Sequence, residues 1–120
     1  MIKKIYISIC HAMRGIRFAY QSDKSFHMEV WGCFPFIAIA FLLWPLTETE
    51  FLFLILAYAL ILVTELTNTA LETAFKKLHP EHHELIGASK DIASGAVLVS
   101  FIFAGIVVAI ITFAHSSLLV

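Results

Sequence analysis

Apolar residues along the chain gather into three long runs, over 30–46, 51–75 and 92–114, separated by short polar breaks. A helix crossing the hydrocarbon layer of a bilayer needs about 20 apolar residues. The second and third runs reach that length. The first is shorter, and Pro35 is placed to start it or to kink it near its N-terminal end. Residues 47–50 (TETE) read as a short acidic turn, and 76–90 (KKLHPEHHELIGASK) as a polar loop that Pro80 keeps from being one unbroken helix. The pattern predicts transmembrane helices over about 29–46, 51–75 and 91–115.

Residues 1–25 have a different rhythm. On a helical projection Ile5, Ile9, Ala12, Met13, Ile16 and Tyr20 share one arc, and Lys3, Lys4, His11, Arg14, Arg17 and Gln21 share the opposite one. Ile7 and Phe18 break the pattern by sitting on the polar arc. This predicts an amphipathic helix in the headgroup layer. It is either a plain anchor or a helix whose polar face closes over a site. The fold class is therefore an all-α integral membrane protein, with an N-terminal amphipathic surface helix plus three transmembrane helices in one unit.

Composition agrees with a membrane solvent. The 120 residues are 60% hydrophobic, with a mean hydropathy of +0.89. The 8 Lys and Arg fall in two blocks, Lys3 to Lys24 and Lys76 to Lys90, while the TETE turn and the tail after Ala114 have none. The positive-inside rule then places the N-terminus in the cytoplasm and the C-terminus outside. No basic stripe stands apart from the apolar runs, so nucleic acid is not an expected partner. Cys10 and Cys33 read as small buried hydrophobes, not as a disulfide. No secretory leader is expected, because the first apolar run begins late and lacks a small-residue cleavage site behind it.

Candidate chemistry lies in the second run. Glu65, Asn68 and Glu72 are spaced three and seven apart and share one helix face. An ionisable residue inside a span costs about 2.5–3.5 kcal/mol, so two carboxylates on one face point to function. One can hold a hard cation such as magnesium, another can accept a proton from a hydroxyl, and Asn68 can orient either. Lys90-Asp91 enters the third run, followed by Ser94 and Gly95; Lys90 suits phosphate charge. His79, His82 and His83 lie in the loop without the His-Glu-x-x-His spacing of a zinc site, and Gly87-Ala-Ser-Lys90 lacks the spacing of a phosphate loop.

At these residues the sequence resembles the small prokaryotic diacylglycerol kinase family, which includes the undecaprenol kinases. The matching segments are Glu65-x-x-Asn68-x-Ala70-x-Glu72 and His83-Glu84-Leu85-x-Gly87-x-x-Lys90-Asp91-x-x-Ser94-x-Ala96-Val97-Leu98. Arg14-Gly15-Ile16-Arg17 and Asp23-x-x-Phe26-x-x-Glu29 match more weakly. The resemblance implies a homotrimer in the bacterial inner membrane, with composite sites at the cytoplasmic boundary. It makes Glu65 the general base and Glu72 with Asp23 the acids for magnesium and ATP phosphates. Lys4, His11, Glu81, His82, His83, Lys90 and Asp91 would meet ATP, with Asn68 in support. Arg17, Phe26, Glu29 and Ser94 would lie near the lipid. The chain departs from the family at Asp23, where Glu is common, and at Lys76, where Asp is common.

The implied reaction is ATP- and magnesium-dependent phosphorylation of a membrane lipid hydroxyl, diacylglycerol first and undecaprenol as the alternative. His83-Glu84-Leu85-x-Gly87 resembles the former branch, and Ser94-Gly95-Ala96-Val97-Leu98 the latter. A third reading is a non-enzymatic membrane protein, such as a channel subunit or assembly factor, whose acids line a polar path.

Overall fold

The computed structural model describes residues 1–78 and 84–118, and these are helical with short connections. Five α-helices follow in order: α1 (Ile2–Ser22), α2 (Lys24–Trp31), α3 (Cys33–Leu42), α4 (Glu48–Phe75) and α5 (Glu84–Leu118). A 3₁₀ turn, Lys76–Leu78, follows α4. Three segments are long and apolar enough to span a membrane: α2 with α3 (Lys24–Leu42), α4 with its 3₁₀ turn (Glu48–Leu78), and most of α5 (Glu84–Ser117).

The surface helix ends at Ser22, earlier than the pattern of residues 1–25 suggests. Asp23 is the cause. Its backbone is extended (φ −110°, ψ 110°), and its side chain accepts a hydrogen bond from Ser25 N–H at 3.0 Å. It therefore caps the next helix and starts the first span at Lys24, several residues before the apolar run. That span is made of two helical pieces meeting at Gly32. Pro35 sits in the first turn of α3, where a missing N–H is tolerated.

Within the TETE segment Glu48, Thr49 and Glu50 are helical and Thr47 caps them. Thr47 Oγ1 accepts from Glu50 N–H at 3.1 Å, and Glu50 Oε1 accepts from Thr47 N–H at 3.0 Å. This reciprocal capping box begins α4 at Glu48, with two acids favourably placed in its first turn. Residues 84–90, expected as loop, form the start of α5.

The helices of the bundle pack chiefly through α4 and α5. Leu54, Val107 and Ile111 form the buried core, with Ala40, Leu43 and Leu46 of the first span and its exit closing over it. Farther along, the Thr64 and Ser100 hydroxyls meet at 3.2 Å between α4 and α5. At the far end His115 Nε2 lies 3.0 Å from Glu50 Oε2, tying the end of α5 to the start of α4. Tyr58 stacks on Phe36, with ring centroids 5.1 Å apart, which seats the first span on α4. The outward faces carry exposed Ile37, Phe41, Leu52, Ile102, Ile106 and Ile110. Contiguous apolar exposure on this scale is natural against lipid and costly against water. The protein is a membrane protein.

The apolar arc of α1 is also uncovered: Ile5, Ile9, Met13 and Ile16 are all exposed. Only Ala19, near its C-terminal end, is buried, where α1 meets α4. One end of α1 is thus tied to the bundle at the level of Asp23.

Candidate functional site

The corner between α1 and α2 sits against the second half of α4, and this junction gathers the polar groups. α4 is about 42 Å long at 1.5 Å per residue, more than the hydrocarbon layer needs. Its last turns carry Glu65, Asn68, Thr69 and Glu72 on neighbouring positions of one side. Glu65, Asn68 and Thr69 are buried, Glu65 with only 4% of its surface exposed. Glu72, one turn nearer the helix end, is half-buried.

Asp23 and Glu29 come to this face from the other helices. Asp23 Oδ2 accepts a hydrogen bond from Thr69 Oγ1 at 2.5 Å, across 46 residues of sequence. Glu29, Asp23 and Glu72 are the charged neighbours of Glu65. Four acids therefore share one region, and among the described residues no lysine or arginine forms an ion pair with them. Two acceptors are buried with no hydrogen-bond partner, Glu29 Oε2 and Asn68 Oδ1. Buried polar atoms left unpartnered are rare, and each calls for an explanation such as a catalytic role or a bound water or ion. Among the described residues no three His, Cys, Asp or Glu side chains converge as a ready-made metal cage.

Beside the acids, Arg14, Arg17, Tyr20, Phe26 and Val30 line a cavity of about 600 Å³ between α1 and α2. Phe26 is its buried floor, 2% exposed. The corner above it is braced by aromatic side chains. Tyr20 stacks on His27 with ring centroids 4.1 Å apart, and its hydroxyl accepts from Trp31 Nε1–H at 2.9 Å.

The remaining candidates are placed less closely. Lys90 is half-buried, and Asp91 and Ser94 are exposed on α5; no hydrogen bond or ion pair among the described residues joins them to the four acids. Lys4 and His11 are exposed on α1. Glu81, His82 and His83, with His79, lie outside the described residues. Conversely, sequence reasoning passed over Thr69, although it stands four residues after Glu65 and three before Glu72, the spacing of one helix face. Tyr20, Tyr58 and Trp31 carried no comparable signal.

Comparison with known proteins places the sequence in a family. The sequence model of the family described as prokaryotic diacylglycerol kinase matches residues 10–112. The chain is 30% identical to a diacylglycerol kinase of Haemophilus influenzae, over 81% of each protein. It is 29% identical to the diacylglycerol kinase of Escherichia coli, over 88% of this chain and 85% of that one. An undecaprenol kinase of Bacillus subtilis is 30% identical over 82% of this chain and 79% of its own length. With the match spanning α1 to α5 and taking in all four acids, the chain belongs to the prokaryotic diacylglycerol kinase family, a family of lipid kinases.

Proposed function

We propose that this protein transfers the γ-phosphoryl group of ATP to the free hydroxyl of diacylglycerol, forming phosphatidic acid and ADP at the cytoplasmic face of a bacterial inner membrane. The observation that carries the reading is the burial of Glu65 on α4 beside Asp23, Glu29 and Glu72. A carboxylate withdrawn from water, in the C-terminal half of α4, is suited to take a proton from an alcohol.

Phosphoryl transfer asks for positioning and charge neutralisation more than for covalent chemistry. The lipid alcohol, oriented by the bilayer itself, enters by the cavity between α1 and α2, where Arg17 and Phe26 line the wall, and Glu29 next to Val30 is assigned to the same lipid side. Ser94 is the α5 contribution to the lipid side. Glu65 accepts the hydroxyl proton as the oxygen attacks the γ-phosphorus. The bond from that phosphorus to the ADP oxygen breaks, and ADP leaves. Asn68, on the same face of α4 between Glu65 and Glu72, supports the site.

Glu72 and Asp23 supply the carboxylates for magnesium. Their oxygens are hard donors, and magnesium characteristically binds one or two carboxylates together with substrate phosphates and water. The unpaired negative charge of the region favours such an ion. When bound, magnesium offsets the charge of the transferring phosphate. Lys4, His11, Glu81, His82, His83, Lys90 and Asp91 are the nucleotide-side candidates. Among the described residues Lys4, His11, Lys90 and Asp91 make no hydrogen bond or ion pair with the acids of the same chain, which is compatible with a homotrimer in which sites are shared between copies. Charge asymmetry supports the N-terminus in the cytoplasm and the C-terminus outside.

Undecaprenol is the second acceptor, favoured by the similarity to the Bacillus subtilis kinase. Both lipids present a primary alcohol at the interface. The deciding experiment measures magnesium-dependent transfer of labelled phosphate from ATP to each lipid in mixed micelles. Glu65→Gln should lower turnover by about 10²-fold or more. The lipid phosphorylated faster names the branch, and transfer to neither by folded protein would sink the proposal.

A further inference from the structure

The acid proposed for the metal is held by a neutral side chain whose role no sequence motif marks. Asp23 caps α2 through Oδ1, which accepts from Ser25 N–H. Its other oxygen, Oδ2, accepts from Thr69 Oγ1. A carboxylate offers about four acceptor positions, so two hydrogen bonds fix its direction and leave room for a cation. Thr69 is itself 6% exposed and stands on α4, a turn from Glu65 on one side and from Glu72 on the other. The Thr69 hydroxyl also lies 2.9 Å from the backbone oxygen of Glu65. It has only one proton, and the charged carboxylate is the stronger acceptor.

We propose that Thr69 is the positioning residue for Asp23, using its hydroxyl to hold that carboxylate at the level of α4 between Glu65 and Glu72 before nucleotide arrives. The inference rests on the reading of Asp23 as a magnesium acid. An aspartate arm is one methylene shorter than a glutamate and projects from the corner between two helices. Unheld, it is free to turn with that corner. Held by Thr69 as well, it keeps a fixed direction toward α4. Thr69 touches neither substrate nor metal in this scheme; it acts through Asp23.

The test measures binding of Mn²⁺, as a probe for magnesium, by the loss of its free-ion electron paramagnetic resonance signal. It uses the purified full-length protein in detergent micelles with a non-hydrolysable ATP analogue. Thr69→Ala and Thr69→Val should each weaken Mn²⁺ binding by about 10-fold or more, the usual effect of removing a residue that orients a metal ligand. Thr69→Ser, which keeps the hydroxyl, should bind within about 2-fold of the parent. Asp23→Ala should weaken binding too, and adding Thr69→Ala to it should cost little further, because both changes break one unit.

If Asp23→Ala weakens binding and the two hydroxyl-less variants do not, Thr69 does not position the ligand and the inference falls while the metal reading stands. If Asp23→Ala and Glu72→Ala both bind as the parent does, the metal reading itself has failed. Circular dichroism and gel filtration on the same samples separate lost binding from lost fold. Val keeps the size that Ala loses, so misfolding of one leaves the other readable. Failure of both to fold makes the hydroxyl a folding element and overturns the proposal.

Discussion

The Tyr58 hydroxyl lies 2.8 Å from the backbone oxygen of Glu29, 29 residues earlier in the chain, and 3.1 Å from that of Val30. A single hydroxyl proton on α4 thus serves the end of α2, just before the first span breaks at Gly32. With the Phe36 stack above it, Tyr58 fixes how far the first span stands from α4, and so where Glu29 sits relative to Glu65.

Removing that hydroxyl alone tests the strap. Tyr58→Phe keeps the ring and its stacking partner but loses the donor. Polar contacts between membrane helices average about 0.6 kcal/mol, so a loss of roughly 0.5–1 kcal/mol is expected. Thermal or SDS unfolding in a fixed detergent measures it. The KM for lipid should rise more than the KM for ATP, since Glu29 is the acid proposed for the lipid side.

A side chain at Gly32 should come at a cost. A Cβ there would stand 2.9 Å from the Glu29 backbone oxygen, closer than such atoms approach, and that oxygen is the one Tyr58 holds. Gly32→Ala must therefore push the α2 carbonyl aside. A destabilisation of about 1–3 kcal/mol is expected, the usual range for overpacking. Combined with Tyr58→Phe the losses should not add, because both act on one carbonyl. An additive double mutant would refute the shared contact.

The Thr64–Ser100 pair makes a different prediction, since it joins α4 to α5 through two hydroxyls and involves none of the four acids. Ser100 is buried, and its hydroxyl also lies 2.6 Å from the Val97 backbone oxygen. Ser100→Ala should lower stability by about 0.6 kcal/mol, the average for hydrogen bonds between spans. Adding Thr64→Val should cost less than that change does in the parent. Unfolding measurements on the four-member cycle give the coupling directly.

What could be read beforehand was whatever repeats at helical spacing. Three apolar runs identified the spans, and Glu65, Asn68 and Glu72 fell on one face because 3.6 residues make a turn. Local polar signals were harder to weigh. Asp23 before Lys24 is a helix cap, and Thr47 with Glu50 is a capping box, yet among charged neighbours both resemble ordinary polar breaks. As a result the first span starts earlier than its apolar run. The contacts between Asp23 and Thr69 and between Tyr58 and the Glu29 carbonyl were beyond reach. Each joins residues far apart in sequence, and the second ends on a backbone atom that every residue has.

The two α4 carboxylates should part company in kinetics. Glu65 is buried and is assigned to the lipid hydroxyl, whereas Glu72 is half-buried near the helix end and is assigned to magnesium and ATP. Removing a group that acts only in the transition state lowers kcat and kcat/KM together; removing a binding group raises KM. Glu65→Gln should therefore lower kcat by about 10²-fold or more with the KM for ATP nearly unchanged. Glu72→Gln should instead raise the magnesium and ATP concentrations needed for half-maximal rate, by roughly 10-fold, the scale of losing a charge-assisted contact. Excess magnesium should recover part of the rate of the Glu72 variant and none of the rate of the Glu65 variant. Equal rescue of both would mean that the two acids serve the same ion, and Glu65 would lose its assignment as the base.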